Sequence, residues 1–420
     1  MQVVVFEDAK YDNLYPLTHM RPTFMLKCGH TMLYEKIERR FKGAKVTYIV
    51  RDMIAAFMKE KMGADVINNA NQIKSEDTLF INGTILLTAD TKLELNGSEE
   101  IATAKNGDVI YARASKVTLA KAYDADITKL LFNLKAALKA VPSTAYMIEW
   151  PWNLVQKNPV AIEDDFKVIG KGGVIEGKVH PMAAILGDKK NVYIAKGADI
   201  HPFVCLDVTA GPIIIDEDVT VFPFTRIEGP NAVGKKTQLF GTNLRTGSAI
   251  GPVCRVGGEV EDAIIHGHSN KYHDGFLGHA YLCEWVNLGA LCTNSDLKND
   301  YGPVSLYVKG ELMDTGDGKV GAFIGDHTKT SIGTLLNTGT MVGMMSNVVG
   351  NGGVAPKYIP SFSWMMNDKF FKAQKSMETA KYAMGRRKCT MGVEEEKYIL
   401  ALKEMMKEDV KYWVKKTTVL

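Results

Sequence analysis

Residues 266–279 read HGHSNKYHDGFLGH and hold four of the chain's nine histidines in fourteen positions. Imidazole titrates near neutrality, so one of these rings could act as a general base. A zinc centre is the competing chemistry. It needs three or four ligands converging at roughly 2.0–2.3 Å, with outer partners that fix each ring. On extended backbone His266 and His268 face the same way. His273 and His279 lie across a glycine-containing turn, and no cysteine or carboxylate repeats with a matching spacing. The pattern favours a base over a metal, and no metal ligand is assigned.

The periodicity around the histidines indicates what must hold them. Aliphatic residues recur every six positions at Ile194, Ile200 and Leu206, then at Ile215, Val221, Ile227, Val233 and Leu239. The step of six returns between Leu282 and Leu288, and between Val342 and Val348. It is neither the 3.6 of a helix nor the 2 of an ordinary strand, and it predicts hexapeptide coils stacked into a β-helix over residues 165–364. One inward aliphatic per hexapeptide stacks on its equivalent in the next coil, so burial is shared along the stack. Such a prism is convex, whereas ligand sites need clefts. Three prisms around a closed rotation axis supply them, which makes a homotrimer the expected assembly. The polar run TNSDLKNDYG at 293–302 reads as a loop projecting from the coils.

Residues 1–145 alternate β-branched runs with helical patterns, the signature of an α/β layer. VVVF at 3–6, KVTYIV at 45–50 and DTLFING at 77–83 are expected parallel strands, and HTMLYEKIERRF and RDMIAAFMKEKM are the helices that cover them. Residues 146–164 carry two tryptophans and two prolines and read as a packed linker. In the helical segment 365–420, Ile399, Leu402, Met406, Val410 and Trp413 form one apolar stripe, expected to dock on the β-helix or a neighbouring subunit.

Composition narrows the partners. The 420 residues are 46% hydrophobic, enough for a large core, and 51 basic against 48 acidic side chains leave a net charge of +3 with no basic block. Nothing calls for nucleic acid or a membrane surface, while small anions remain suitable ligands. No apolar window is long enough to span a bilayer, and six scattered cysteines without a C-x-x-C pair read as reduced thiols. The expected setting is cytoplasmic.

HDGFLG at 273–278, the steps to Leu282 and Leu288, and the run Asn287-Leu288-Gly289-Ala290 resemble the acetyltransferase half of the bifunctional N-acetylglucosamine-1-phosphate uridyltransferase and glucosamine-1-phosphate acetyltransferase family. NSDLKNDYGPV at 294–304, IGDHTKTSIGTLLNTGTMVG at 324–343 and PSFSW at 360–364 resemble its sugar nucleotidyltransferase-like subgroup. The resemblance implies a left-handed parallel β-helix, acetyl-CoA as co-substrate, and transfer of an acyl group to an amino sugar phosphate or nucleotide sugar. It makes His273 the general base, with Asn287 beside the acceptor and acetyl group. Ala290 takes a position whose backbone meets acetyl-CoA. Lys298 reaches toward the sugar phosphate, with Lys271, Arg255 and Arg226 as further candidates for that charge-assisted role. His266, His268 and His279 are left to turns and interfaces. The family tyrosine is Phe276 here, and Asp296 stands where the family has asparagine, so the acceptor is open.

YPLTHMRPTFML at 15–26 resembles the P-L-T-x-x-x-P segment of sugar-phosphate nucleotidyltransferases. Those enzymes wrap phosphates with a G-x-G-T-R loop, where glycine admits close backbone N–H groups and arginine stabilises the transferring charge. The corresponding positions here are Ala9, Tyr11, Asp12 and Asn13; the expected lysine is Thr23 and the expected magnesium-binding aspartate is Thr84. Nucleotidyl transfer by an altered loop, or a non-catalytic sugar-nucleotide scaffold, stand as alternatives to acyl transfer. Mg2+ is implied only if this domain is active.

Overall fold

The computed structural model describes residues 1–350, 352–366, 369–372 and 375–418, which form an α/β domain, a parallel β-solenoid and C-terminal helices. In the first domain the strand order is Val46–Ile49, Gln2–Phe6, Thr78–Asn82, Val109–Ala114, Glu100–Thr103 and Ala140–Val141. The first three pair in parallel and Val109–Ala114 runs antiparallel. Gln2–Phe6 is buried along its whole length because helices cover both faces, which is why residues 3–6 are written as an unbroken apolar run.

The segment expected to be a linker is the helix Pro151–Ile169. Proline at its first position needs no hydrogen-bond donor, Asn153 Oδ1 accepts from the N–H of Trp150 at 2.9 Å, and Gly170 ends the helix in the left-handed conformation at φ 66°. Its apolar side, with Trp152, Leu154 and Ile162, packs on outward rungs of one solenoid face, among them Ile214, Ala232, Ala249 and Ile264. One face of the prism is therefore apolar on both sides, and the α/β domain is fastened to it.

Parallel ladders join Val192–Ile194 to Ile213–Ile215 and continue through nine strands to Tyr358–Ile359. All the six-spaced aliphatics named above lie inside the prism. The grid slips where a turn is one residue shorter: Leu244 follows Leu239 after five positions and still pairs with Ile227. Between Leu282 and its ladder partner Ile324 the chain completes a coil and sends out a hairpin, Ser305–Val308 paired antiparallel with Glu311–Asp314.

The C-terminal stripe divides between two helices. Val393–Met405 packs on the α/β domain, where Tyr398 stacks on Phe57 and Glu60 accepts the N–H groups of Val393, Glu394 and Glu395. Lys407–Thr418 meets the solenoid through Trp413 and Val414, and Ile399 and Leu402 of the preceding helix share a core with Met344, Met345 and Phe362 of the coils. Both halves of the stripe thus touch the solenoid, the first where the coils adjoin the α/β domain. Among the described residues no helix is long and apolar enough to cross a membrane.

Candidate functional site

The four clustered histidines go to different places. His266 is buried with Nε2 3.3 Å from the Met25 carbonyl oxygen and Nδ1 3.7 Å from Glu284. His268 occupies a turn at φ 61° and stacks on Trp285 with ring centres 4.4 Å apart. His279, also at a turn, puts Nδ1 2.8 Å from Asp296 and Nε2 3.6 Å from Asp262. Asp296, the departure from the family loop, is therefore a partner for this ring. His273 alone is exposed, edge-on to Tyr272 at 4.8 Å.

The turn that carries His273 is held from inside the prism. Ladder pairing sets Lys271 under Val256, and the side chain is only 2% exposed, in a position where neighbouring coils place aliphatics. Its ammonium donates to the carbonyls of Gly257 at 2.7 Å and His273 at 2.9 Å. Burial pushes its pKa down to about 8, against the opposing pull of Cys292, Asp274 and Glu259. Gly258 sits beside it at φ +68°, and a Cβ there would come within 2.7 Å of Nζ. Lys271 consequently has no route to a substrate phosphate; it fixes the turn. Lys329 repeats the arrangement at another corner, donating to Trp285 and His327 carbonyls at 2.7 and 2.9 Å.

Asn287 lies on the same sheet face, one coil from Asn270. Arg387 donates to Asn270 Oδ1 at 2.8 Å, and Asn270 Nδ2 donates to Asn287 Oδ1 at 3.2 Å. This relay occupies the Asn287 carbonyl and leaves its NH2 group as the outward donor. Leu288 and Leu291 N–H groups bond to the Asn270 and Asp274 carbonyls, so Ala290 stacks on the turn of His273, one coil on. Asn270 could have been found in the sequence, since it precedes Asn287 by one coil of seventeen residues. Arg387 had no local signal.

The other basic candidates separate. Arg255 is exposed beside Arg387, whose pKa falls through burial and the charges of Arg255 and Arg386. Arg226 is paired with Asp207 at 3.1 Å and with Glu228, so its charge is neutralised within its own surface. Lys298 Nζ bonds to Pro303 O at 3.3 Å and Asp300 at 3.2 Å, and it lines a cavity of about 610 Å3 with Asn337 and Lys357. His273 is not part of that cavity within one chain.

In the α/β domain, a cleft of about 500 Å3 opens at the ends of the parallel strands, the usual ligand crevice of such sheets. Asp8, Asp52, Asp124 and Asp126 line it, and its one arginine, Arg51, is paired with Glu7 at 2.7 Å. The degenerate loop is a 3-10 turn, Tyr11–Leu14, with Asp12 paired to Lys309 of the solenoid hairpin at 2.7 Å. Thr84 is buried and donates to Asn82 Oδ1 at 2.8 Å, so a hydroxyl stands at the position of the expected aspartate, while Asp8 accepts from Asn82 Nδ2 at 2.8 Å. Arg21 faces away from the cleft. It is buried in the junction, where its guanidinium meets Asp326 (Nη1–Oδ2 3.1 Å) and Glu284 (3.2 Å), contributed by successive coils.

Residues 3–173 match the family described as sugar nucleotidyl transferase. A bifunctional sugar-1-phosphate nucleotidylyltransferase/acetyltransferase of Sulfurisphaera tokodaii is 27% identical over 149 residues, covering 33% of this chain and 35% of that protein. An uncharacterized acetyltransferase of Escherichia coli, YaiX, is 23% identical over 150 residues, 35% of this chain and 65% of its own length. The chain thus spans about a third of the first relative and just under two thirds of the second. Among solved structures, the UDP-N-acetylglucosamine acyltransferase of Francisella novicida aligns over 56% of this chain and 90% of its own, at 16% identity and a TM-score of 0.33, a likeness too loose to add to the registers above. The segment similar to the sugar nucleotidyl transferase family, residues 3–173, is thus carried in one chain with a parallel β-solenoid.

Proposed function

We propose that this chain is an acyltransferase that moves an acyl group, acetyl in the first instance, from acyl-CoA to the amine of an amino sugar phosphate or nucleotide sugar. The observation that carries the reading is the setting of His273. Turns at its corner of the prism expose Met182, Phe203 and Phe224 and, beyond the glycine turns at 241 and 258, Tyr272, Leu291 and Ile332; Phe224 is 77% and Ile332 75% exposed. An apolar stripe of this length on a rigid corner is a surface for another copy of the chain. A homotrimer would enclose the exposed imidazole in a groove and bring a neighbour's basic side chains, such as Lys298 or Arg255, to it.

In that groove the amine nitrogen attacks the thioester carbonyl carbon, and His273 takes the proton released from nitrogen as the C–N bond forms. The NH2 group of Asn287 donates to the oxygen that gains charge. Collapse breaks the C–S bond, and the imidazolium returns its proton to the departing thiolate. The six cysteines, unpaired in the structure, suit a cytosolic setting for this reaction. Incubating the protein with acetyl-CoA and amino sugar phosphates should release free thiol in proportion to acetylated product. Absence of acceptor-dependent thiol across several amino sugars would remove the proposal.

Assembly supplies a separate check. Phe224→Asp introduces a charge on the apolar stripe without entering the core. It should convert a trimer to monomer in sedimentation velocity and lower activity at least tenfold, with the melting profile of the monomer intact. A wild-type monomer at micromolar concentration would contradict the seam. The family match of residues 3–173 keeps a second reading open, nucleotidyl transfer by an altered loop, which pyrophosphate release from nucleotide and sugar-phosphate pairs would reveal.

A further inference from the structure

A cavity of about 470 Å3 lies where three distant parts of the chain meet: the loop around Tyr15 and His19, the solenoid hairpin tip at Lys309, and the final helix Lys407–Thr418. It is separate from both the acidic cleft and the His273 corner. Its size is that of small-molecule sites.

Three features describe what it would hold. Tyr307, Tyr358 and Trp413 form one aromatic wall, with ring centres 4.9 Å apart between the tyrosines and 5.4 Å from Tyr358 to Trp413, and Tyr412 stands edge-on at the rim. Aromatic faces of this kind stack planar heterocycles. Opposite, His19 lines the cavity with its side chain 6% exposed, and its Nδ1 is buried with no hydrogen-bond partner. Burial, with Arg51 and Arg21 nearby, pushes its pKa down to about 3, so the ring is neutral and offers one donor or acceptor to a base edge. A buried polar nitrogen left unmatched is unfavourable unless something else satisfies it. At the mouth, Lys309 occupies the tip of the hairpin at φ 51° beside Gly310 at φ 90°, the two-residue turn that keeps a hairpin end rigid. Lys416 lies over Trp413 at 4.5 Å. Lys309, which also holds Asp12 at 2.7 Å, and Lys416 thus flank an aromatic interior whose one lining carboxylate, Asp409, accepts from the Tyr358 hydroxyl at 2.7 Å, whereas the cleft on the α/β sheet is lined by several carboxylates.

We propose that this junctional cavity is a nucleotide site, with the base stacked on the Tyr307–Tyr358–Trp413 wall and read by His19 Nδ1, and the phosphate directed to Lys309. It goes beyond the acyl-transfer reading and does not depend on it. Both elements flanking the hairpin belong to different domains, so an occupied cavity would also tie them together.

The test uses the full chain with AMP, GMP, CMP and UMP, and with glucosamine and glucose as ring-shaped controls. At least one nucleotide should quench tryptophan fluorescence and raise the melting temperature, as a ligand of the folded state does. His19→Phe keeps the volume and removes the unmatched nitrogen. Its ligand-free melting temperature should equal or exceed that of the wild type, while its affinity for the nucleotide falls about tenfold. Tyr412→Ala, at an exposed position, should weaken binding with the fold intact. The proposal is overturned if no nucleotide binds at about 5 mM (a dissociation constant weaker than the millimolar range), if the sugars bind equally, or if binding is unchanged in both variants, which would place the nucleotide elsewhere.

Discussion

Replacing Arg21 with methionine is expected to lower the unfolding free energy by about 3–5 kcal/mol, the range for removing one partner of a buried ion pair. Arg21 is 1% exposed and Asp326 2%, so the substitution strands a carboxylate away from water. Glu284, half of the same clamp, is pushed up by burial but held well below the usual carboxylate range by Lys61, His266 and Arg21. Its folded pKa lies under its unfolded value, so its contribution is present above roughly pH 4.3 and disappears as pH falls through the folded value. The Arg21 variant should therefore also lose part of the acid resistance of the junction. Urea unfolding followed by circular dichroism at pH 7 and at about pH 3.5, inside the window where the carboxylate titrates, measures both effects. Because the clamp joins two domains, the single transition of the wild type should separate into two. A loss under about 1 kcal/mol, with one unchanged transition, would show that packing rather than charge holds the junction.

Arg21 also illustrates how much of this protein was legible before its fold. The segment PLTHMRP resembles the P-L-T-x-x-x-P segment of sugar-phosphate nucleotidyltransferases, and the sheet beneath it is the expected one. The direction of the arginine was not readable, because its partners are 263 and 305 residues away. Lys271 is a different case. Ile265, Lys271 and Leu277 keep the six-residue step, so the grid itself assigned this lysine to the interior. Residue type overrode the grid: a lysine read as a surface cation, although two carbonyls at a turn can hold one inside. The segment 146–164 reads as packed from its tryptophans, but not as a helix. Pro151 and Asn153 start a helix there, and the apolar solenoid face gives it a surface to cover. Aliphatic rungs were easy to see because each repeats, whereas Arg387 and the Asn270 relay depend on a single long-range contact.

The largest effect on rate should come from His273→Ala, with acceptor-dependent thiol release falling by about 10²–10⁴, the usual share of a positioned general base. Since the ring is exposed and makes no hydrogen bond within the described residues, melting temperature should not change. Lys271→Met is the informative companion. It leaves His273 in place but removes the ammonium that holds the His273 and Gly257 carbonyls, so the turn is free to shift; a displacement near 1 Å is enough for a loss of roughly a hundredfold. The two variants differ in their stability against pH. Burial lowers the pKa of Lys271 to about 8, so the folded chain binds fewer protons than the unfolded chain between about pH 8 and 10.4. Folding of the wild type should gain stability through that window, by at most on the order of 2–3 kcal/mol for this group, and Lys271→Met should lack that gain while His273→Ala keeps it. Thermal unfolding at pH 7.5 and pH 9.5 on all three proteins decides the matter. If Lys271→Met keeps full activity, the buried lysine serves the coil alone, and the imidazole is positioned without it.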